Sequence, residues 1–369
     1  MIVIPLARPS IGPAELEAQA RALASGRLVL GPENAAFEQD VARVAGVSHA
    51  VAVANGTGAL HLVLWALGLP QGGEVLVPAF TFPAPAHAAC VLGLKVVPVD
   101  VDPDSWNMSP AAAARAISPR TCAMIAVDQF GLPADMAALG DLAEQAGIPL
   151  LEDSACAIGA IGAHGKPAGS FGVAGCFSFH PRKIVTTGEG GAVVTAQASI
   201  AERVRALRNH GQVEAGSFVE PGLNYRLPET SAAVGRVQLG RLQALLDERA
   251  ELALLYRKRL DAGRRKTAEL RTQAIPTGFR HAFQVLAVML PGGVDRARVV
   301  RSLRERGIEA GVATFALHRI ASLSGLPGLS REALPVAERL HDQAMALPFW
   351  NGMSEMDVDR VVGALEEIL

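Results

Sequence analysis

The chain has 369 residues, of which 50% are hydrophobic and 19% are charged, and its formal net charge at pH 7 is −2. This length exceeds one ordinary compact domain, and the low charged fraction favours extensive buried surface or a subunit interface. Because the chain lacks runs of basic residues interleaved with aromatic ones, we expect no nucleic acid and no anionic membrane surface among its partners, but small molecules.

The cysteines and the amino terminus predict a soluble, cytoplasmic protein. The N-terminal stretch MIVIPLARPSIG meets a proline within five residues, which is not typical of a signal peptide, and the apolar runs are too short or too interrupted to span a bilayer. The cysteines lie in or beside apolar segments without paired metal-ligand spacing, which favours reduced, buried thiols. They are Cys90, Cys122, Cys156 and Cys176.

Short runs rich in β-branched residues alternate with amphipathic stretches such as 58–69 and 135–147, a pattern typical of a mainly parallel, doubly wound sheet with helices on both faces. The runs are 50–54, 74–78, 95–100, 123–128, 148–153, 176–179 and 191–195.

From residue 229 the pattern changes. A single long helix is predicted up to Gly263, followed by a strand at 281–290, a helix at 294–307, a strand near 308–313 and two final helices. We therefore predict a large domain at 1–245 and a small α+β domain at 246–369.

Ligands of open parallel sheets bind outside the carboxyl ends of the strands. At one such end, Asn55, Gly56, Thr57 and Gly58 lie between a strand and a helix. Glycines allow backbone amides to approach an anion, and a helix N-terminus adds favourable partial charge, so the stretch could hold a phosphate. A glycine-rich turn with Thr57 as a helix cap explains it equally well.

Two adjacent carboxylates, Glu152 and Asp153, end another buried strand. Alternation along a strand sends them to opposite sides, so they are not expected to act as a paired acid and base. A carboxylate at the strand end needs a partner such as a cation, a protonated ring nitrogen or a metal. A local turn contact is the competing explanation.

Lysine is sparse in this chain, and Lys183 lies in the stretch CFSFHPRKIVTTGEGG (176–191) with Ser178 and His180. A partly desolvated lysine can form an imine with a carbonyl and then act as a base. An anion site, a strand-end carboxylate and such a lysine together match the requirements of pyridoxal 5′-phosphate (PLP). Phe80 or Phe82, after a further strand, could stack on a flat cofactor or belong to the core.

With these residues, the chain resembles the DegT/DnrJ/EryC1/StrS sugar aminotransferases, a branch of the fold-type-I PLP enzymes. The resemblance covers nearly the whole chain, and the block around Lys183 is especially specific. The matching segments are 25–60, 75–82, 98–110, 150–160, 178–191, 207–211, 222–239 and 334–350.

The resemblance implies a role for individual residues. Lys183 would form the Schiff base and Asp153 would pair with the pyridinium nitrogen. Gly56, Thr57 and Ser178 would hold the phosphate. The remaining implied cofactor contacts are Phe82, stacked on the ring, Cys156, near the ring hydroxyl, and Asn224, reaching the phosphate of the neighbouring subunit in a homodimer.

Two departures from the family pattern stand out. The family commonly has a glutamine three residues after the ring-nitrogen aspartate, where it contacts the ring hydroxyl, and this chain has Cys156, whose thiol is a poor donor. Where the family more often has His-Leu-Tyr-Gly, this chain has Asp128 and Gln129 followed by Phe-Gly.

The expected activity is transfer of an amino group from L-glutamate, giving 2-oxoglutarate, to a keto-sugar that is nucleotide-linked, in amino-sugar biosynthesis. Candidate substrate contacts are His180, Tyr225, Arg226 and His318. A keto-inositol (cyclitol) acceptor and a PLP-dependent sugar dehydratase are the alternatives within the family, although the dehydratases replace the lysine with histidine.

Two other classes of protein fit the sequence less well. A metal-dependent hydrolase could use Glu152, Asp153 and His180, but the usual metal-ligand spacings are missing and no metal site is expected. A non-catalytic regulatory protein on the same fold would not require Lys183.

Overall fold

The computed structural model describes residues 3–263, 267–325 and 333–369. These residues form twelve α-helices: α1 (Pro13–Ala24), α2 (Pro32–Ala45), α3 (Gly56–Leu67), α4 (Ala84–Val91), α5 (Pro110–Ala116), α6 (Met136–Ala146), α7 (Ala198–Leu207), α8 (Glu229–Gly240), α9 (Leu242–Ala262), α10 (Arg296–Glu305), α11 (Pro335–Gln343) and α12 (Glu355–Ile368).

The same residues form fourteen strands: β1 (His49–Val53), β2 (Glu74–Pro78), β3 (Phe80–Thr81), β4 (Lys95–Val99), β5 (Thr121–Val127), β6 (Leu150–Asp153), β7 (Ala174–Ser178), β8 (Gly191–Thr195), β9 (Gln212–Glu214), β10 (Ser217–Phe218), β11 (Leu286–Met289), β12 (Gly311–Val312), β13 (Phe315–Ala316) and β14 (Ala344–Leu347).

The main sheet has seven strands in the order β1-β8-β7-β6-β5-β2-β4. Only β8 runs antiparallel to its neighbours, and all seven strands coincide, within a few residues, with the predicted runs. The prediction of a mainly parallel seven-stranded sheet of the fold-type-I class is therefore confirmed.

Both faces of this sheet are covered by helices, which explains why its strands are apolar at consecutive positions. In β1, Val51 and Val53 pack into a core formed with α3, α4 and α7, whereas Ala50 and Ala52 pack into a second core with α2. A third core lies between the sheet and α5 and α6. Burial of both faces is typical of sheets whose parallel strands are connected through helices.

A second sheet lies in the C-terminal part of the chain, with all-antiparallel order β11-β14-β12. Its core includes Tyr256 of α9 and much of α12, and Ile4 from the N-terminal segment also packs there. The central strand, β14, was not predicted, because its sequence AMAL has no β-branched residue. The domain boundary near residue 245 stays a prediction.

The prediction of one long helix over 229–263 is wrong. The structure has two helices that meet at Arg241, whose φ of −101° and ψ of 0° interrupt the helix. The Arg241 guanidinium donates to Glu15 Oε1 at 2.7 Å and to Ser10 Oγ at 2.8 Å. These contacts with the N-terminal segment cannot be seen in the hydrophobic periodicity of 229–263.

No described helix is both long enough and apolar enough to cross a membrane.

The N-terminus of α2 is held by a carboxylate from α8. Glu229 is 1% exposed and accepts hydrogen bonds from the backbone N–H groups of Gly31 (2.7 Å), Glu33 (2.8 Å) and Asn34 (3.0 Å). The Asn34 side-chain amide also donates to it. One carboxylate thus satisfies donors that a helix start leaves unpaired.

We expect Glu229→Ala to lower the free energy of unfolding by about 1–3 kcal/mol, because it leaves these buried donors unsatisfied. Equilibrium denaturation measures this change. The control is Glu17→Ala, which removes a carboxylate that is 74% exposed and 4.0 Å from Arg21, and which should change stability by no more than about 0.5 kcal/mol. Equal effects of the two substitutions would contradict this account of the α2 cap.

Candidate active site

The carboxyl ends of the parallel strands bring the predicted site residues to one edge of the main sheet. The turn after β1 holds Gly56, β7 ends at Ser178, and β6 ends at Asp153. In the registers of adjoining strands, Asp153 lies opposite Cys176, and Ser178 lies opposite Gly191. Residues far apart in the sequence therefore converge because of the strand order.

The turn between β1 and α3 lies against the end of β7. Asn55 caps α3, with its Oδ1 accepting from Gly58 N at 2.7 Å. A Cβ on Gly56 would lie 2.8 Å from Ser178 Cβ, and a Cβ on Gly191 would lie 2.5 Å from the Asn55 carbonyl. Only glycine allows this approach, which leaves an exposed helix N-terminus with Thr57 in its first turn and Ser178 beside it.

Asp153 is 5% exposed, and its Oδ1 accepts a hydrogen bond from Ala155 N at 3.1 Å. Burial raises the pKa of Asp153 to about 6, although the Ala155 N–H and the positive charge of Lys183 both act to lower it. A positively charged group placed against this carboxylate would stabilise its ionised form further. Asp153 is therefore a residue that could pair with a protonated ring nitrogen.

Glu152 makes different contacts from Asp153. It is fully buried, and its Oε2 accepts from Phe171 N at 2.9 Å. Successive side chains of a strand point to opposite faces of the sheet. As this alternation predicts for β6, Glu152 and Asp153 do not belong to the same site.

Lys183 lies in the loop between β7 and β8 and is half-buried. Its backbone N–H donates to the His180 carbonyl at 2.8 Å, which closes a tight turn. Its Nζ lies 3.0 Å from Cys156 Sγ. The structure thus brings together Lys183, Asp153 and Cys156, three residues that the sequence places at the cofactor.

Gln284 holds the lysine loop on both sides of Lys183 and was missed in the sequence. Its Oε1 accepts from Ile184 N at 2.8 Å, and its Nε2 donates to the Arg182 carbonyl. Gln284 is 6% exposed and lies just before β11 in the C-terminal part of the chain. A lone polar residue in an apolar run was the available signal, but it does not reveal a partner 100 residues away.

The two phenylalanines after β2 have different environments. Phe80 is fully buried and packs edge-on against Phe130 at a centroid distance of 6.3 Å, so it belongs to the core. Phe82, two residues later, is 62% exposed. Its ring is therefore accessible for stacking.

The residues after β10 lie beside the turn at 54–58. The Tyr225 carbonyl accepts a hydrogen bond from Ala54 N at 2.8 Å. The Tyr225 ring packs against Gly58, because a Cβ added to Gly58 would lie 3.2 Å from a carbon atom of this ring. The Arg226 guanidinium donates to Asn209 Oδ1 at 2.7 Å, and Asn224 is exposed.

Two histidines among the candidate substrate contacts have carboxylate neighbours. His180 Nε2 lies 3.8 Å from Glu189 Oε1, and His318 Nε2 lies 3.2 Å from Glu338 Oε1. His318 follows β13, which pairs with β3 next to Phe82. Within the described residues, no group of three or more His, Cys, Asp or Glu side chains is arranged to hold a metal ion.

Comparison with known proteins agrees with this geometry. The model of the DegT/DnrJ/EryC1/StrS aminotransferase family matches residues 9–366. The structure of DesV from S. venezuelae in complex with a ketimine intermediate is 34% identical, with 96% of this chain and 93% of that chain covered and a TM-score of 0.89.

Two further solved structures are similar over the same extent. DesI, crystallised in the presence of its TDP-sugar product, is 33% identical, with 99% of this chain and 92% of that chain covered and a TM-score of 0.90. The 3-amino-5-hydroxybenzoic acid synthase is 32% identical, with 99% and 98% covered and a TM-score of 0.90. The chain therefore belongs to the DegT/DnrJ/EryC1/StrS family and is a PLP-dependent aminotransferase.

Proposed function

We propose that this protein transfers an amino group from L-glutamate to a keto-sugar carried on a nucleotide. The observation that carries the proposal is the convergence of Lys183, Asp153 and the Gly56–Ser178 contact at one sheet edge. The similarity to DesI, which was solved with a TDP-sugar, supports a nucleotide-linked acceptor.

The residues at this edge fit PLP. Asp153, buried and with a raised pKa, suits a protonated ring nitrogen. The α3 N-terminus with Gly56, Thr57 and Ser178 suits the phosphate, and the exposed ring of Phe82 suits stacking on the pyridine. Lys183 supplies the amine for the covalent link. When bound, PLP withdraws electrons from the substrate carbon that loses its proton.

The protein's own part in the reaction is to hold and move protons. When its ε-amine is free, Lys183 would be the base that takes a proton from the reacting carbon of the amino donor and holds it for return. Gln284 fixes the backbone on both sides of the lysine, and Cys156 Sγ is the group that contacts its Nζ. Both contacts limit where the amine can lie.

The acceptor is proposed to contact His180, Tyr225, Arg226 and His318. A cyclitol acceptor uses the same residues, and the 3-amino-5-hydroxybenzoic acid synthase among the similar structures indicates that relatives are not confined to sugars. The presence of Lys183 favours amino transfer over dehydration. Location in the cytoplasm stays a prediction from the sequence.

We expect Lys183→Ala to abolish the absorbance band of covalently bound cofactor and to reduce glutamate-dependent amino transfer by about 100-fold or more, because both the link and the base are lost. The matched control is Lys95→Ala, at the exposed start of β4, which should retain both. Absorbance scans of the purified proteins with added PLP give the first readout. Full turnover by Lys183→Ala would refute the proposed role of this lysine.

The acceptor is identified by incubating the purified protein with PLP, L-glutamate and a panel of keto-sugar nucleotides and keto-inositols. Mass spectrometry detects the replacement of a carbonyl oxygen by an amino group, and 2-oxoglutarate release measures the first half of the reaction. Release of 2-oxoglutarate with no nucleotide sugar aminated, but with a cyclitol aminated, would replace the keto-sugar by the cyclitol as acceptor.

We further propose that the active unit is a homodimer in which Asn224 reaches the phosphate site of the partner. Apolar side chains are exposed near Asn224 and in the segment before α2. A β-bridge between Val29 and Pro228 holds this segment beside the residues that follow Asn224. A second copy would bury them. Their exposures are 47% for Leu28, 50% for Val29, 41% for Leu30, 62% for Phe218, 61% for Val219 and 47% for Leu223.

This shared site predicts complementation between two inactive variants. Asn224→Asp places a negative charge against a phosphate, so we expect it to lose activity, as does Lys183→Ala. A mixed dimer, isolated through two different affinity tags, would then contain one site with both changes and one native site, with about half of the wild-type activity per dimer. If Asn224 serves its own subunit, the mixed dimer has no native site and stays inactive.

A further inference from the structure

Two buried carboxyl groups lie next to Asp153 and are not used by the reaction described above. Asp128 directly follows β5, and Glu152 lies on the neighbouring strand β6. Both side chains are 0% exposed. Ala126 lies opposite Glu152 in the register of β5 and β6, so Asp128, two residues further along, faces the same side of the sheet as Glu152, and each carboxyl changes the pKa of the other. Asp128 is one of the positions at which this chain departs from the family pattern.

The hydrogen bonds around this pair locate a proton. Asp128 Oδ1 accepts from Ala134 N at 2.9 Å, and its Oδ2 accepts from Ser154 Oγ at 2.7 Å. Glu152 Oε2 accepts from Phe171 N at 2.9 Å, and the Gly169 N–H also lowers the pKa of this carboxyl. Among the described residues, no donor lies within hydrogen-bond distance of the buried Oε1. Two carboxyl groups can hydrogen-bond only if one of them carries a proton, and Glu152 Oε1 is the atom left for it.

The surroundings also oppose a second negative charge. Burial raises the pKa of Glu152 well above its usual range, and the adjacent Asp128 charge raises it further. Burial likewise raises the pKa of Asp128, to about 6, although hydrogen bonds with Ala134, Ser154 and Glu152 act to lower it; the charge of Asp153 raises it. The other titratable neighbours are the Cys176 thiol, whose pKa burial raises well above its usual range, and Lys183, whose positive charge acts on Asp153.

We propose that Asp128 and Glu152 form a carboxylic acid pair that retains one proton while the enzyme works, and that this pair positions Asp153 for the cofactor. The proposal rests on the PLP-dependent function proposed above. Asp128 holds the chain directly after the Asp153 side chain, since its backbone N–H donates to the Asp153 carbonyl at 3.0 Å and its carboxyl accepts from the Ser154 hydroxyl. With one proton, the pair places one negative charge beside Asp153 instead of two.

Isosteric amides test the shared proton directly. In Glu152→Gln or Asp128→Asn, an amide N–H replaces the proton, and the remaining carboxylate keeps the pair at one negative charge. We expect wild-type apoprotein at a pH of about 8, above the pKa of about 6 of Asp153, to show the infrared carbonyl band of a protonated carboxylic acid, shifted in D₂O. Both variants should lack this band, whereas the control Asp135→Asn, on the exposed cap of α6, should retain it.

PLP binding by the variants distinguishes a role of the acid pair in positioning Asp153 from a role in packing alone. Because Glu152→Gln keeps the charge of the pair and both hydrogen bonds that Asp128 accepts, we expect its affinity for PLP and the pH titration of the bound chromophore to stay within about twofold of wild type. Asp128→Asn replaces one of the two accepting oxygens by an NH2 group, so it serves only the infrared measurement. Asp128→Ala removes the acceptor for Ser154 and leaves Glu152 alone, so its PLP affinity should fall by more than about tenfold. Circular dichroism checks that each variant is folded.

Three results would overturn the proposal: a wild-type protein without the band, a band that persists in both amide variants, or a Glu152→Gln variant that binds PLP as poorly as Asp128→Ala. The first readout uses apoprotein and remains valid even if an amide variant fails to fold. A wild-type protein that shows the infrared band but never binds PLP would instead refute the proposed function and leave the acid pair in place.

Discussion

The burial of negative charge at the end of β6 is the constraint on which the rest of the site depends. A carboxylate that is 5% exposed is costly unless charged or donor groups offset the loss of water. Asp153 has one backbone donor, Ala155, and the charge of Lys183. The loop that carries Lys183, the Gln284 contacts that fix this loop and the acid pair behind the strand all act on that one carboxylate.

The main sheet was predictable because both of its faces are covered. When consecutive residues such as Ala50, Val51 and Ala52 are all buried, the strand appears in the sequence as a continuous apolar run. General rules for parallel sheets then predict that the residues at the strand ends lie together at one site. The resemblance around Lys183 implies a role for each of them. For this reason the sequence alone identifies Asp153, Lys183 and the Gly56 turn as candidate site residues.

What the sequence did not reveal depends on contacts between distant segments. Arg241, at the break between α8 and α9, contacts Glu15 and Ser10, more than 200 residues away, and Gln284 contacts a loop 100 residues before it. Strands as short as β3 and β13 have too few residues for any period to show. Periodicity reports only on the local environment of a segment, so it cannot report these long-range pairs.

The two departures from the family pattern gain a common meaning from the structure. Cys156 contacts the amine of Lys183, and Asp128 holds the backbone of Asp153 from the neighbouring strand, so both contact residues that we propose to bind the cofactor. The phosphate cradle at Gly56 and Ser178 follows the family pattern. The departures therefore fall among the residues proposed to contact the ring and the amine, whereas the residues proposed to hold the phosphate match the family pattern.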